Sequence, residues 1–167
     1  TLDPEVVLKI TTDETEAEFA AQLSADLAAP IVVDYKMVVR LSATHEGRPV
    51  YLLWRQSAED VGKVYEVLGD LAVSMVAHQH DAAKQAVRLI IANDRGPRLT
   101  AQLERWVRAC EAMADQSVVP ELAVLATGML VVYREQQIFF GDVHAGNLGR
   151  VGNDWVITDP GNVIVLR

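Results

Sequence analysis

Residues 140–161 have the sequence FGDVHAGNLGRVGNDWVITDPG, which carries the strongest structural signal in the chain. Two short apolar runs within it flank a polar turn at residues 152–154, a pattern that predicts an antiparallel β-hairpin. A hairpin returns the chain close to its starting point. We therefore expect Asp159 to lie beside Asn147, although the two residues are twelve positions apart in the sequence.

The polar side chains at the base of this hairpin suit a metal-assisted reaction. An Asn carbonyl and an Asp carboxylate are hard oxygen ligands that Mg²⁺ takes while keeping waters and phosphate oxygens, so Asn147 and Asp159 are candidate metal ligands. Asp142 begins the same loop and is a candidate for accepting or orienting a proton near that metal. His144 has two interpretations, a ligand for a metal or phosphate and a hydrogen-bonding brace for the loop, and we favour the brace.

The region before residue 56 mixes strands with one helix. Apolar β-branched residues predict a first strand, and Phe19 with its apolar neighbours at helical spacing predicts an amphipathic helix that Pro30 ends. Two further apolar runs around a turn that contains Gly47 predict a hairpin. These elements are expected at residues 6–10, 13–27, 31–42 and 49–54.

The region from residue 56 onward has a different pattern. Ala, Leu, Val, Glu and Arg dominate up to residue 135, which is typical of helices. The helices are predicted at about 58–78, 81–93, 98–115 and 120–135, before the strands and turns of residues 138–167. The sequence thus predicts an α+β fold, with a small β-rich lobe at residues 1–55 and a helical lobe at residues 56–167 that carries the hairpin.

The composition limits the class of protein. Of the 167 residues, 50% are hydrophobic and 23% are charged, which is enough for a packed core. The 15 basic and 23 acidic residues give a net charge of −8, which disfavours nucleic acid as a partner. The one cysteine, Cys110, argues against a disulfide framework and a cysteine zinc site. No membrane segment or signal-peptide pattern is visible, so we expect a cytoplasmic protein without a membrane partner.

The motifs of the hairpin region resemble those of a known superfamily. Asp142-x-x-x-x-Asn147, followed by a hairpin and Asp159-Pro160-Gly161, resembles the catalytic loop and the metal-binding motif of the protein-kinase-like superfamily. The pattern Gly-Asp-x-His-x-x-Asn is similar to that of aminoglycoside phosphotransferases. The sequence Asp-Val-His-Ala-Gly-Asn, followed by Ile-Thr-Asp-Pro, is also similar to that of the early serine/threonine kinases of lytic bacteriophages. The resemblance implies that Asp142 is the catalytic base, that Asn147 and Asp159 bind Mg²⁺, and that the chain uses ATP.

The N-terminal region offers a second part of the kinase pattern. Kinases use a strand lysine to hold the α- and β-phosphates of the nucleotide, and a helix glutamate to orient that lysine. Lys9 in the first predicted strand resembles this lysine. Of the glutamates at positions 14, 16 and 18, only Glu16 lies on the apolar stripe of the predicted helix, given about 100° of rotation per residue. A carboxylate on an inward face needs a partner, so we assign Glu16 to Lys9.

The chain departs from the kinase pattern at several positions. No glycine-rich loop precedes Lys9, and the sequence ends six residues after Gly161, so we expect a minimal kinase-like two-lobe fold that is truncated at both ends. Phe140 replaces the histidine common in the superfamily, and Gly141 replaces the arginine of regulated protein kinases, so control through an activation loop is not expected. Trp54 lies at the predicted hinge, where it either packs or contacts the adenine ring of a bound nucleotide.

Three functions are compatible with these features. The leading hypothesis is an ATP- and Mg²⁺-dependent phosphotransferase, a phage-type protein serine/threonine kinase that modifies host proteins in the host cytoplasm. The alternative is a catalytically impaired pseudokinase-type interaction module that binds and modulates a host protein, and the missing glycine-rich loop and early end favour it. A small-molecule kinase is the third, because an acidic surface suits cationic substrates.

Overall fold

The computed structural model describes residues 6–26, 31–60 and 64–166. The predicted end of the first helix, at Leu27 and Pro30, lies outside these residues. Helices and strands are both abundant, so the predicted α+β class is confirmed. The elements are, in chain order, β1 (Val6–Thr11), α1 (Glu14–Asp26), β2 (Tyr35–His45), β3 (Arg48–Gln56), β4 (Glu59–Asp60), α2 (Val64–Ile91), α3 (Pro97–Gln116), α4 (Pro120–Gln136), β5 (Ile138–Phe140), β6 (Leu148–Val151), β7 (Asp154–Ile157) and β8 (Val163–Val165).

The first three strands form an antiparallel sheet in the order β1–β3–β2. Successive side chains of a strand point to opposite faces of the sheet. The register aligns Lys9 with Leu53 and Leu8 with Trp54, so Lys9 and Leu53 share one face while Leu8 and Trp54 share the other. Leu53 is 0% exposed, whereas Leu8 is 45% exposed. The Lys9 face is therefore the inner face of this sheet.

Helix α1 begins soon after β1 and packs against β2 and β3. The Asp13 carboxylate accepts a hydrogen bond from the Glu16 backbone N–H at 3.1 Å, which caps the helix. The Thr11 hydroxyl oxygen accepts a hydrogen bond from the Asp13 backbone N–H at 3.0 Å and so orders the approach to the cap. Phe19 and Ala20 are buried, so the apolar stripe of α1 faces the core.

The helical region differs from the prediction at its start. The expectation of helices at 58–78 and 81–93 places the break wrongly, because the helical segment α2, which extends from Val64 to Ile91, continues through residues 78–81. Its one break is at Gly69, with φ 67° and ψ 162°, a conformation that glycine adopts without steric cost. Residues 78–81 include neither Gly nor Pro, so nothing there interrupts the helix. Strand β4, which lies within the first predicted helix, pairs with β6.

The C-terminal region contains two helices followed by short strands. Helices α3 and α4 each begin with a proline, at Pro97 and Pro120, where the missing N–H costs nothing. Strands β6 and β7 form the predicted hairpin, with β4 added at its edge. Its turn has two residues, 152–153, rather than three, because Gly152 adopts φ 61° and Asp154 already belongs to β7. Strand β8 pairs with β5.

Two backbone hydrogen bonds join the segment before β2 to β7. The Val33 N–H donates to the Ile157 carbonyl at 3.1 Å, and the Ile157 N–H donates to the Ile31 carbonyl at 2.7 Å. Between them, Val32 and Ile157 form a parallel bridge. The sheet of β1–β3 is thus fastened directly to the hairpin that precedes Asp159.

The hydrophobic core is continuous from α1 through the helices to β5–β8. Its largest fully buried side chains are Trp106, Tyr35, Phe139, Phe140, Ile31, Leu53, Met113, Leu122, Leu125, Met129 and Leu148. Cys110 is also buried, and burial raises the pKa of its thiol, which therefore stays protonated and unreactive. In the part of the chain that the structure describes, no helix has the length and apolar character needed to cross a membrane.

Candidate active site

Lys9 lies at the centre of a cluster of charges. Its Nζ is 2.8 Å from Glu16 Oε1 on α1 and 2.8 Å from Asp159 Oδ2 in the loop after β7. The Lys9 side chain is only 24% exposed, so both contacts are partly shielded from water. The expected contact between Lys9 and Glu16 is present, and it continues to Asp159, which is 150 positions from Lys9 in the sequence.

Glu16 is the carboxylate that α1 turns inward. Its side chain is 2% exposed, whereas Glu14 and Glu18 are exposed, as the rotation along the helix predicts. Glu14 instead accepts a hydrogen bond from the Tyr51 hydroxyl at 3.1 Å. Burying a carboxylate is costly unless a cation or a hydrogen-bond donor accompanies it, and Lys9 provides both.

The cluster changes the acid–base properties of Lys9 and Tyr35. Burial lowers the pKa of Lys9, but the hydrogen bonds and charges of Asp159 and Glu16 outweigh burial and raise this pKa above its ordinary value. Tyr35 at the start of β2 is buried, and burial together with the charge of Glu16 raises the pKa of its hydroxyl. Lys9 therefore remains an ammonium ion, and Tyr35 a neutral phenol, at physiological pH.

The β6–β7 hairpin brings Asp159 beside Asn147. The Thr158 N–H donates to the Asn147 carbonyl at 2.8 Å, which aligns these two backbones and places Asp159 next to them. Arg55, near the end of β3, donates from its guanidinium to the Thr158 carbonyl. The proximity of residues 147 and 159 that the hairpin predicts is therefore present, and a basic residue from the first sheet supports it.

Asp142 lies near Asp159, with Gly161 between them. A Cβ placed on Gly161 would be 3.4 Å from Asp142 Oδ2 and 4.0 Å from Asp159 Oδ1, so both carboxylates reach the same small volume. The Asn147 amide Nδ2 donates to the Asp142 backbone carbonyl at 2.9 Å and lies 3.5 Å from Asp142 Oδ2. The loop from Asp142 to Asn147 is thus closed on itself.

Two histidines flank the Asp142 carboxylate. His80 Nε2 on α2 is 3.0 Å from Asp142 Oδ1, and His144 Nε2 is 3.9 Å from the same oxygen. His144 Nδ1 accepts a hydrogen bond from the Gly146 N–H at 3.1 Å. His144 therefore braces the loop, as the favoured interpretation expects.

The oxygen donors at this site suit a Mg²⁺ ion held together with phosphate. The Asn147 amide nitrogen is used within the loop, so its amide oxygen is the atom that can act as a ligand, next to the Asp159 carboxylate. Mg²⁺ accepts so small a protein donor set when waters and substrate phosphates complete its coordination. Among residues 6–26, 31–60 and 64–166, no group of three or more His, Cys, Asp or Glu side chains is arranged to hold a metal ion.

Trp54 is not brought to the Lys9 cluster. Because side chains alternate along β3, Trp54 lies on the face of the sheet opposite Lys9, aligned with Leu8 and Met37. The expectation that Trp54 contacts an adenine ring stays a prediction, and its position on the face opposite Lys9 does not support it. Leu53 is the residue of this pair that shares the face of Lys9.

Several side chains around the site could not be recognised in the sequence. They are Tyr35, Arg55, Gln79 and His80. Each is brought to the site by pairing between strands or by packing of α2 against the Asp142 loop, and none belongs to a motif. Arg55 aligns with Val7 on the Lys9 face, but this alignment follows only once the register of β1 against β3 is known.

No protein-family model, no curated protein and no solved structure matches this chain. The chemistry of the site therefore follows from the groups that converge there. They are the Lys9 ammonium, the carboxylates of Glu16, Asp142 and Asp159, and the Asn147 amide. A cation that joins two carboxylates, next to a closed acidic loop, is able to bind an anionic ligand together with a divalent metal ion.

Proposed function

We propose that this chain is an ATP- and Mg²⁺-dependent phosphotransferase with a kinase-like fold, a phage-type protein serine/threonine kinase that acts on host proteins. The observation that carries the proposal is the position of Lys9 Nζ, 2.8 Å from both Glu16 Oε1 and Asp159 Oδ2. A lysine between a helix glutamate and a metal-binding aspartate is the arrangement that protein kinases use to place the phosphates of a nucleotide.

The N-terminal residues of the site would bind the nucleotide. Lys9 would contact the α- and β-phosphates through its ammonium group, and its raised pKa keeps that group charged. Glu16 would fix the direction of the Lys9 side chain, because its buried carboxylate contacts Lys9 Nζ at 2.8 Å and the cap at Asp13 holds the start of α1 in place.

The C-terminal residues would serve the metal and the acceptor. Asn147 and Asp159 would hold Mg²⁺, which neutralises negative charge on the phosphates when it is bound. Asp159 is 43% exposed and contacts Lys9 through Oδ2, so its Oδ1 is turned toward the volume near Gly161. Asp142 reaches the same volume from the other side and would orient the acceptor hydroxyl there.

The transfer itself needs one proton acceptor. The hydroxyl oxygen of a Ser or Thr residue forms a bond to the γ-phosphorus, the bond between this phosphorus and the leaving ADP breaks, and the hydroxyl proton passes to Asp142. Little covalent chemistry is left to the protein, so correct placement of these groups supplies most of the rate enhancement.

The proposal is tested by transfer of label from [γ-³²P]ATP and Mg²⁺ to casein and to the proteins of a bacterial lysate. Asp142→Asn keeps the size of the side chain but cannot accept the proton, so labelling should fall about 10²–10⁴-fold. Asp154→Asn changes an exposed carboxylate on β7 and is the matched control, which should label like the wild type. Equal labelling by Asp142→Asn rejects Asp142 as the base, and an inactive wild type rejects the proposal.

A protein-binding module is the second candidate function. Valines on and just before α4 are exposed, with Val118 69%, Val124 63% and Val131 44% exposed. A groove of about 540 Å³ lies beside Val124 and is bordered by Ile31 and Trp155. An apolar surface of this kind favours contact with another protein.

Nucleotide binding distinguishes the two candidates. A ligand that binds only the native state at 100 times its Kd stabilises that state by about 2.7 kcal/mol, which raises Tm. The kinase proposal expects such a shift with Mg²⁺ and ATP together, and a smaller shift in Lys9→Met. No shift in the wild type, combined with stable capture of a host protein, supports the binding module instead.

A further inference from the structure

Helix α2 delivers two consecutive side chains to the Asp142 loop. Gln79 is 0% exposed, and its Nε2 donates to the Val143 carbonyl while its Oε1 accepts a hydrogen bond from Trp106 Nε1 at 3.1 Å. Its neighbour His80 is 3.0 Å from Asp142 Oδ1 through Nε2. Side chains of consecutive helical residues point about 100° apart, so Gln79 points into the core and His80 points toward the Asp142 carboxylate.

The contacts of Gln79 fix how α2 sits against the loop. Both ends of its amide are engaged, one by the backbone next to Asp142 and the other by the fully buried Trp106. Loss of either partner would leave a buried amide group unpaired and would destabilise the fold. Rotation or sliding of α2 past the loop is therefore opposed. The position of His80 relative to Asp142 is set by these bonds.

The His80 ring is held in a defined orientation. Its centroid is 5.1 Å from that of His144, with the two ring planes inclined by 45°. The His80 side chain is 19% exposed, and Asp142 and His144 are the titratable groups that contact it in the described part of the chain. An ionised carboxylate accepts hydrogen bonds only, so the Nε2 of His80 carries the proton when it meets Asp142.

The two oxygens of Asp142 therefore have different surroundings. Oδ1 accepts the hydrogen bond of 3.0 Å from His80, whereas Oδ2 has a longer contact of 3.5 Å with Asn147 Nδ2 and faces Gly161. The shorter hydrogen bond, to Oδ1, is the stronger restraint on rotation of the carboxylate about its last torsion. The remaining oxygen then points in one direction, toward the volume that it shares with Asp159.

We propose that His80, anchored by Gln79, is the positioning residue that aims Asp142 Oδ2 at the acceptor hydroxyl. This inference rests on the proposed phosphotransfer function and assigns the two oxygens of Asp142 separate tasks. Removal of the hydrogen bond lets the carboxylate rotate, and a misplacement on the order of 1 Å costs about 10²-fold in rate. Binding of the nucleotide does not depend on this hydrogen bond.

The test compares variants of His80 in the full chain, with [γ-³²P]ATP, Mg²⁺ and casein plus bacterial lysate as acceptors. His80→Leu should lower the apparent kcat about 10²-fold and leave the apparent KM for ATP and the Tm shift with Mg²⁺ and ATP as in the wild type. His80→Gln, which keeps a donor nitrogen at the position of Nε2, should recover most of the rate. His78→Leu removes an exposed imidazole two residues away and should behave like the wild type.

The outcomes separate the two claims. An active wild type with an equally active His80→Leu overturns the positioning role and leaves the proposed function standing. Equal impairment of His80→Leu and His80→Gln also overturns it, because a donor at this position is then insufficient. A wild type that transfers no phosphoryl group overturns the proposed function and this inference together. A lower Tm of His80→Leu with an unchanged kcat assigns His80 a structural role only, against the proposal.

Discussion

The two ends of the candidate site are held by different forces. At the end near β1, charges meet charges, because Lys9 joins Glu16 and Asp159 by two ion pairs of 2.8 Å. At the end near α2, the Asp142 loop is held mainly by hydrogen bonds from an amide and an imidazole, those of Asn147 and His80. One end brings the sheet to the hairpin, and the other brings the long helix to the loop.

This difference teaches which end a ligand is able to rearrange. An anionic phosphate competes with Asp159 for the Lys9 ammonium, and a metal cation competes with Lys9 for the Asp159 carboxylate. The hydrogen bonds of the Asp142 loop include backbone carbonyls, which carry no net charge for a ligand to attract. The Lys9 end is therefore the part of the site that a ligand is able to rearrange, and the Asp142 end is the part that uncharged hydrogen-bonding groups hold in place.

The largest effect is expected where the buried charge loses its partner. Lys9→Met leaves the Glu16 carboxylate, 2% exposed, without its cation, so the free energy of unfolding should fall by about 3–5 kcal/mol. Urea denaturation measures the loss. The double variant Lys9→Met/Glu16→Gln should recover part of it, while Lys84→Met, at an exposed position on α2, should lose little. A fully stable Lys9→Met would show that the ion pairs are not what holds this end.

Gln79→Leu removes hydrogen bonds at the end of the site near α2. The substitution leaves the Val143 carbonyl and the Trp106 N–H buried without their partner, which should cost about 1–3 kcal/mol of unfolding free energy. Thermal denaturation at low and high salt measures it, and the loss should not depend on salt, since no charge pair is removed. Gln116→Leu, on the exposed end of α3, is the control. A loss of stability that disappears at high salt would contradict the contrast between the two ends.

Alkaline pH should weaken the Lys9 end alone. The folded pKa of Lys9 is raised above its ordinary value of 10.5, so its contribution is complete below that pH and is lost as the pH rises through the folded pKa. The difference in stability between the wild type and Lys9→Met should therefore be constant up to about pH 9 and should shrink above pH 10.5. Denaturation of both variants at several pH values measures this difference. A difference that grows as the pH rises would contradict a raised pKa of Lys9 in the folded state.

The smallest effect is expected at an exposed ion pair of the hairpin. Arg150 on β6 pairs with Glu59 on β4, and the two side chains are 51% and 70% exposed. Arg150→Ala should change the free energy of unfolding by at most about 1 kcal/mol, because solvent screens such pairs. Urea denaturation of Arg150→Ala beside Lys9→Met compares an exposed pair with a buried one. A loss as large as that of Lys9→Met would mean that burial does not explain the strength of the Lys9 end.

Local patterns predicted much of the fold and part of the site. The β6–β7 hairpin and the inward position of Glu16 follow from periodicity over a few residues, and the pairing of Lys9 with Glu16 follows from the need of a buried carboxylate for a cation. His80 and Gln79 were not accessible in this way. Their contacts with the Asp142 loop depend on how a helix packs against a segment about 60 positions further along the chain, and no local preference specifies that.

The sheet offers an instructive intermediate case. Strand alternation alone separates Trp54 from Lys9, but only after the register of β1 against β3 is known. The break in α2 is the opposite case, because Gly69 is a local signal that the overall helical composition of the region conceals. Register and packing are properties of pairs of segments, whereas breaks and caps belong to single segments.

The bridge between Val32 and Ile157 restricts how the first sheet can move relative to the β6–β7 hairpin. Its two flanking N–H···O bonds link the stretch before β2 to the hairpin strand that ends two residues before Asp159. Any movement that carries β1 away from the hairpin must either break these two hydrogen bonds or rotate about them. The distance between Lys9 and Asp159 is therefore expected to increase through a small rotation about Ile157. Complete separation of the first sheet from the hairpin is not expected.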